Sequence, residues 1–421
     1  MDRLRNLFCR AVLRVLAPGQ SEIALSRNGV RPLRSRISER AFELSDLLGR
    51  RAVNLDTPEL QRFLAGKRVL VSGAGGSIGS EICRQMMRFC PQRVLLVERA
   101  ENNLFEIDRE LRERWVGADI RPCIADVCDA RRINQIFQSE NPQVVFHCAA
   151  HKHVPMMEHN PCEAIKNNIF GTRTVADAAL AHEASAFVLI STDKAVNPSS
   201  VMGATKRVAE IYIQSLNAPA RQTRFLAVRF GNVLGSSGSV VPIFQKQIDL
   251  GGPVTVTHPD MKRYFMTIPE ASQLVMQAGA IGKGGEVLVL DMGSQVRIVD
   301  LARQLIIRNG LKPDDDILIN FTGIRPGEKL YEELACDDEQ TRPTSHAKIR
   351  AWQLPPVSRE EVSQGLELLA EAAESTPMAA VEALAQVVPE FRPESLRNES
   401  RASISLKLVA PQGGDIEEAA A

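Results

Sequence analysis

No run of about eighteen consecutive apolar residues occurs in this chain, and its start lacks the continuous apolar stretch of a secretion signal. A bilayer-spanning segment is therefore not expected, and the folded part is expected in the cytoplasm. No CxxC pair occurs among the eight cysteines, Cys9, Cys83, Cys90, Cys123, Cys128, Cys148, Cys162 and Cys336, which excludes a zinc-ligand spacing and a secreted disulfide framework. Several sit in apolar runs such as VVFHCAA, so reduced, buried thiols are expected, with no bound metal. Neither sign of charge is in excess: Lys+Arg and Asp+Glu number 51 each. That balance argues against a nucleic acid or acidic polymer as partner, so any charged ligand must be met locally. Tyrosine is scarce, and none of Tyr212, Tyr264 and Tyr331 is followed by a lysine four residues on.

What is present is enough apolar material, 44% of 421 residues, for a full core and roughly two domains with appendages. From Lys67 onward, short β-branched-rich runs alternate with helical patterns. The runs are RVLVS, RVLLV at 93–97, IRPCIA at 120–125, VVFHCAA at 144–150, FVLIS at 187–191 and FLAVRF at 225–230, and the helical stretches between them include Ile78 to Phe89 and Ala164 to Ala181. Repeated βα units at crossover length predict an α/β fold, a doubly wound parallel sheet with helices on both faces. The expected organisation is a leader at 1–66, a dinucleotide-binding domain at 67–240, a smaller substrate-binding lobe at 241–350 where Gly/Pro punctuation loosens the alternation, and a helical then poorly ordered tail at 351–421. Within the leader, Leu4, Leu7, Phe8, Ala11, Val12 and Val15 share one helical face while Arg3, Arg5, Arg10 and Arg14 lie elsewhere. This basic amphipathic pattern fits a docking helix or a peripheral contact with the inner face of an anionic membrane.

The first strand is followed at once by Ser72-Gly73-Ala74-Gly75-Gly76-Ser77-Ile78-Gly79. Its glycines allow a tight turn and let backbone N–H groups meet a pyrophosphate at a helix N-terminus, as in a Rossmann dinucleotide site. Gly73, Gly76, Ser77, Ile78 and Gly79 are the expected contacts. Glu98 ends the second strand, where an acidic side chain binds the adenosine ribose. Glu98 favours a free 2′-hydroxyl, and so NAD, while neighbouring Arg99 suits the 2′-phosphate of NADP. Asp126 is a candidate partner for adenine or simply the start of a turn. Val127, with Ala149 and Ala150 after the fourth strand, completes the cofactor set.

The βα series opened by this glycine loop resembles the short-chain dehydrogenases, and that resemblance implies a Tyr-x-x-x-Lys pair, the tyrosine as acid/base and the lysine on the nicotinamide ribose. Here the lysine is Lys206, but the tyrosine position holds Met202, whose thioether has no proton to exchange. Thr192-Asp193-Lys194 follows the fifth strand directly, where catalytic side chains of this fold reach the nicotinamide.

The segments SGAGGSIGSE, AAHKHVPMMEHNP, STDKAVNPSSVMGATKRVAE, RFGNVLGSSGSVVPIF and GIRPGEKLYEEL, in this order, resemble the polysaccharide-biosynthesis family of extended short-chain dehydrogenases. Within it they are similar to the retaining UDP-N-acetylglucosamine 4,6-dehydratases, over roughly residues 40–350. That branch also carries methionine at the tyrosine position together with a Thr-Asp-Lys trio, so the resemblance implies a subclass of enzyme. It further implies that Asp193 is the acid/base helping the C6 hydroxyl leave, that Lys194 abstracts or relays the C5 proton, that Thr192 hydrogen-bonds the C4 oxygen, and that Lys206 holds the nicotinamide ribose. The group that takes the C4-hydroxyl proton is left open between Asp193 and a water. Lys152, His153, Asn167 and Asn232 are candidate sugar contacts, and Arg325 in GIRPGEK is suited to a bidentate grip on a diphosphate. The competing readings are a nucleotide-sugar 4-epimerase, which the methionine disfavours, and a silent sensor of NAD(P) or nucleotide sugar. A homo-oligomer is expected, with the Ala164–Ala181 helix as a bundle face.

Overall fold

The computed structural model describes residues 57–217, 222–334, 341–352 and 357–393. The basic N-terminal pattern, Cys9, Cys336 and the chain after residue 393 lie outside the described residues, and all described residues fall in one compact unit.

Each apolar run forms a strand: β1 Arg68–Ser72, β2 Arg93–Glu98, β3 Ile120–Ile124, β4 Val144–His147, β5 Ala186–Ile190 and β6 Arg224–Arg229. They pair in parallel in the order β3-β2-β1-β4-β5-β6, with Val69 opposite both Val94 and Val144. The strands are apolar on both sides because both faces are covered. Leu70, Leu95, Phe187 and Phe225 point into one core, while Val69, Val71, Phe146, Val188 and Leu226 point into the other.

Helix α1 (Pro58–Leu64), capped by Thr57, leads into β1. Helix α2 (Ser77–Met86) runs on into a 3₁₀ turn to Phe89, which Cys90 ends in the left-handed region at φ 50°. Helices α3 (Glu101–Arg114) and α4 (Ala130–Glu140) complete the first half of the fold. After β4 come two short helices, α5 (Val154–His159) and α6 (Pro161–Ala164), a π-helical turn (Ile165–Phe170) and α7 (Gly171–Ala181). The stretch expected as one helix from Ala164 to Ala181 thus carries a π turn, a distortion frequent at functional sites. Helix α8 (Val201–Ser215) follows β5 and is capped by Ser200.

The sheet does not stop at residue 240. β11 (Val287–Leu290) adds in parallel to β6, then β15 (Ile349–Trp352) and β14 (Thr341–Pro343) add antiparallel, giving nine strands. The unpaired edge that β6 would otherwise present is covered in this way. Helix α10 (Ile268–Ile281) also packs on the main sheet, through Leu274 and Val275. A separate small core is made by two excursions. The first is β7 (Asn232–Leu234), α9 (Val240–Asp249), β8 (Val254–Val256), β9 (Lys262–Arg263) and β10 (Phe265–Thr267); the second is β12 (Val296–Arg297), α11 (Ile298–Arg308) and β13 (Ile319–Phe321). Phe244, Val254, Phe265, Leu301 and Ile306 fill it.

Beyond the sheet, α12 (Arg359–Ala373) and α13 (Pro377–Val387) form a hairpin against α6, the π turn and α8. Lys166 pairs with Glu374 at 2.8 Å and Arg207 with Glu390 at 3.6 Å. The Ala164–Phe170 part of the helical face expected to meet a second subunit is therefore covered by this chain's own hairpin, because Val362, Leu366, Leu369 and Leu384 must bury their apolar faces and do so there. Among the described residues no helix is long and apolar enough to cross a membrane, and the six described cysteines are free thiols.

Candidate active site

The strand order reverses between β1 and β4, so the loops after these strands open a crevice at their carboxyl ends, where α/β folds bind ligands. Its floor is the glycine loop. Gly73 has φ 65°, and a Cβ there would lie 2.8 Å from Ala149 N; a Cβ on Gly79 would lie 2.1 Å from Gly73 O. Gly76 is the N-cap of α2 and has no side chain to cap it, which leaves the first N–H groups of a ten-residue helix free for an anion. Ser77 Oγ accepts from Ser237 N, Ile78 packs into the core, and the backbone of Ala149, followed by Ala150, forms the facing wall.

Glu98 is committed to the backbone: Oε2 accepts from Gly75 N at 3.2 Å and Oε1 from the Arg99 and Ala100 N–H groups at 3.0 Å each. It thereby ties the glycine loop to the end of β2. Arg99 pairs with Asp126 at 3.6 Å, and Asp126 also accepts from Cys128 N, the turn geometry weighed from the sequence. Val127 is buried, close against Gly171. The ends of β2 and β3 therefore carry two carboxylates and one already paired guanidinium.

After β4, Asn168 from the π turn fixes the loop: its Oδ1 accepts from His151 N at 2.7 Å and its amide donates to His151 O at 3.0 Å. Asn167, the residue singled out from the sequence, is buried and donates to Asn168 Oδ1. Lys152 Nζ reaches Ser236 Oγ at 3.4 Å, and Gly238 lies against the His153 ring, so the segment after β7 sits beside both substrate candidates. Burial lowers the pKa of Lys152 and, together with Lys152, that of His153. Beneath them His147 bridges Ser72 at 2.7 Å and Thr172 at 3.1 Å; burial, then Lys206, depresses it to about 3, so it stays neutral.

The turn after β5 holds the most concentrated chemistry. Asp193 is fully buried. Its Oδ1 accepts from Thr192 Oγ1 at 2.9 Å and from Lys194 Nζ at 2.9 Å, while Oδ2, beside Gly231, has no partner among the described residues. An unpaired buried carboxylate oxygen is costly and calls for a donor. Lys194 Nζ also donates to Asn232 Oδ1 at 3.2 Å and lies 3.6 Å from Glu332. Burial disfavours its charge, but Asp193 and Glu332 outweigh burial and hold its pKa above the ordinary value. Lys194 is thus an ammonium at neutral pH.

Helix α8 meets this turn at Gly203, where a Cβ would lie 2.2 Å from Lys194 O. That contact places Met202 and Lys206, both buried, one turn apart on the helix. Lys206 makes no hydrogen bond among the described residues, and burial brings its pKa down to about 8 against the opposing pull of Glu210 and Cys148. One turn further, Glu210 accepts from Arg229 Nε at 2.7 Å and Ser191 Oγ at 2.6 Å, and Arg229 stacks 4.2 Å from the Trp352 ring centroid.

Arg325 is exposed and paired with Glu328 in its own turn. The residues missed from sequence are Asn168, Glu210, Arg263 and Glu332. Asn168 is the neighbour of Asn167 and Glu210 lies four residues after Lys206; Glu332 falls inside the GIRPGEKLYEEL segment, but nothing near it in sequence marks a link to Lys194, and Arg263 carries no local signal.

The chain matches the family model described as "Polysaccharide biosynthesis protein" over residues 69–353. It is 59% identical over 298 residues to the capsular polysaccharide biosynthesis protein CapD of Staphylococcus aureus, covering 70% of this chain and 50% of that protein. The chain therefore spans about half the length of the curated relatives it matches first. It is 33% identical over 278 residues to the inverting UDP-N-acetylglucosamine 4,6-dehydratase of Campylobacter jejuni, covering 65% of this chain and 79% of that one. Among solved structures it is similar to Pen from Bacillus thuringiensis, at 37% identity and TM-score 0.64, over 70% of this chain and 92% of that one. With the 3-2-1-4-5-6 parallel sheet, the glycine loop and the lysine of α8 in place, the chain belongs to the polysaccharide-biosynthesis family of nucleotide-sugar enzymes within the extended short-chain dehydrogenases.

Proposed function

We propose that the protein is a retaining UDP-N-acetylglucosamine 4,6-dehydratase that keeps and recycles NAD and serves surface polysaccharide or glycan synthesis. The observation that carries this reading is the turn after β5, where a buried Asp193, one oxygen of which has no partner among the described residues, holds the Lys194 ammonium next to a helix that has Met202 in place of the usual tyrosine. A 4-epimerase needs a proton shuttle at C4 alone, whereas an elimination needs in addition an acid for the C6 hydroxyl and a base for C5–H, and an Asp-Lys pair supplies both.

Gly73, Gly76 and Gly79 hold the pyrophosphate against the N-terminus of α2, since a Cβ at Gly73 or Gly79 would collide with the backbone of Ala149 or of Gly73 and force the loop open. Glu98 and Asp126 favour NAD: Arg99 is spent on Asp126, and two carboxylates repel a 2′-phosphate. When bound, the nicotinamide supplies acceptance of hydride from sugar C4 and its return at C6. Around it, Lys206 places positive potential by the ribose and the reacting alcohol. The Thr192 hydroxyl, which donates to Asp193 Oδ1, accepts from the C4 hydroxyl and relays that proton to Asp193. Asp193, protonated by the C4 proton, gives its proton to the departing C6 hydroxyl; Lys194, an ammonium at rest, hands a proton to the resulting carboxylate as it takes the proton from C5, and the reverse transfer returns a proton to C5 when hydride reaches C6. Asn232 orients Lys194, and Lys152 and His153 flank the sugar; Arg325 must leave Glu328 to grip a diphosphate.

Incubating the purified protein with UDP-N-acetylglucosamine and no added cofactor should yield a product lighter by about one water, since the dinucleotide is regenerated in each cycle. Unchanged mass with deuterium exchange at C4 would establish the epimerase instead, and cofactor binding without any turnover the sensor.

Lys206 sets a pH dependence. Its cation is present below about pH 8 in the free enzyme and is lost above it. NAD affinity, measured by fluorescence quenching, should therefore weaken as pH rises from 7 to 9.5 (roughly one to two units either side of that midpoint). Lys206→Met should remove the slope; equal slopes in both proteins would show that Lys206 does not meet the dinucleotide.

A further inference from the structure

Glu332 lies in GIRPGEKLYEEL, far along the chain from Lys194, yet its side chain is 3% exposed and stands against the catalytic turn. Its Oε1 lies 3.6 Å from Lys194 Nζ and 3.7 Å from Arg263 Nε, and its Oε2 has no hydrogen-bond partner among the described residues. Two contacts hold it there. Gln295 Nε2 donates to the Glu332 carbonyl at 2.7 Å, and the Arg263 guanidinium donates to the carbonyls of Lys329 at 2.8 Å and Leu330 at 3.2 Å, fastening the segment that carries Glu332.

Lys194 is thus flanked by a carboxylate from the sheet and one from the substrate lobe, with Asn232 as its neutral third partner. Asp193, Glu332 and Arg263 are buried and Lys194 is largely so, its side chain 18% exposed; together they form a set of two negative and two positive charges. Buried charge is tolerated when it is balanced and becomes costly when one partner is withdrawn. In the reaction proposed above Asp193 must change protonation, and at that moment Lys194 and Arg263 would face no anion if Glu332 were absent.

Resting on that reading, we propose that Glu332 is a positioning residue of the elimination: it holds the Lys194 ammonium against Asp193 and balances its charge while Asp193 gains and loses a proton. The substrate lobe thereby completes the catalytic centre through one side chain.

The test is Glu332→Gln in the full-length protein, read in two ways. Competitive acylation of Lys194 across pH, followed by peptide mass spectrometry, needs no substrate and titrates the amine directly. In E332Q the Lys194 midpoint should fall by about one pH unit or more, because one of its two anionic partners is gone. In the water-loss assay kcat should fall by roughly tenfold or more with KM changed by less than about threefold, and Glu332→Asp should recover part of both effects. An unchanged Lys194 midpoint, or an unchanged kcat, in E332Q that melts normally overturns the proposal. If E332Q does not fold, the same labelling is done on Glu332→Asp, where a midpoint identical to wild type overturns it equally. A wild-type protein that leaves UDP-N-acetylglucosamine intact, with the labelling shift present, would refute the dehydratase reading and leave the Glu332–Lys194 coupling standing.

Discussion

Asp193→Asn should reduce loss of water from UDP-N-acetylglucosamine by roughly 10²- to 10⁴-fold, the range a positioned acid/base contributes. The exchange is nearly isosteric in a fully buried site, and the Thr192 hydroxyl keeps an oxygen to donate to. What disappears is the group able to carry a proton and one of the two anions on Lys194. Among the described residues no hydrogen bond links Asp193 to the glycine loop, so NAD content should stay close to wild type while single-turnover rates collapse; the melting temperature should drop, because Lys194 and Arg263 lose one of the two carboxylates that balance them. Incorporation of solvent deuterium at C5 should fall in parallel. A variant within about tenfold of wild type would remove Asp193 from the chemistry and transfer the acid/base role to a bound water.

The largest expected effect on stability is at Glu210. Arg229 is fully buried, and its Nε and Nη2 both donate to this carboxylate. Burial raises the pKa of Glu210, but Arg229 and then Arg207 and Ser191 outweigh it and hold it below the usual carboxylate value. Glu210→Ala would leave a buried guanidinium stacked on the Trp352 ring with no anion among the described residues and should destabilise the fold by about 3–5 kcal/mol, read as a drop in the urea midpoint. Glu210→Ala with Arg229→Met should recover much of this, because no uncompensated charge remains. The sign with pH follows from the depressed value: the pair's stabilisation is present above about pH 4.5 and is lost as Glu210 protonates below it. A single variant with a midpoint near wild type would mean that Arg229 reaches solvent or another anion.

Much of the site was legible because it is local in sequence. The glycine loop declares itself as strand, turn and helix within a dozen residues, and its cost to any added Cβ is set by the same short stretch. Thr192, Asp193 and Lys194 are consecutive, and Met202 and Lys206 share one helix, so their association needs no tertiary knowledge. Glu98 and Arg99 were recognised by position, but the structure engages them with Gly75 N and with Asp126. Asn167 drew notice while its neighbour Asn168 anchors the loop, because the π turn decides which amide faces His151.

The sequence by itself determined the parallel sheet, the dinucleotide loop and the absence of a tyrosine acid/base, since each follows from residue type at short spacing. Only the tertiary structure decided that Lys194 is a charged group held between two carboxylates, that β11 and β15 extend the sheet past residue 240, and that the C-terminal hairpin covers the π turn and α8. The reason is physical: hydrophobic patterning and backbone freedom are written along the chain, whereas the protonation state of a largely buried amine depends on which anions folding brings within about 4 Å of it.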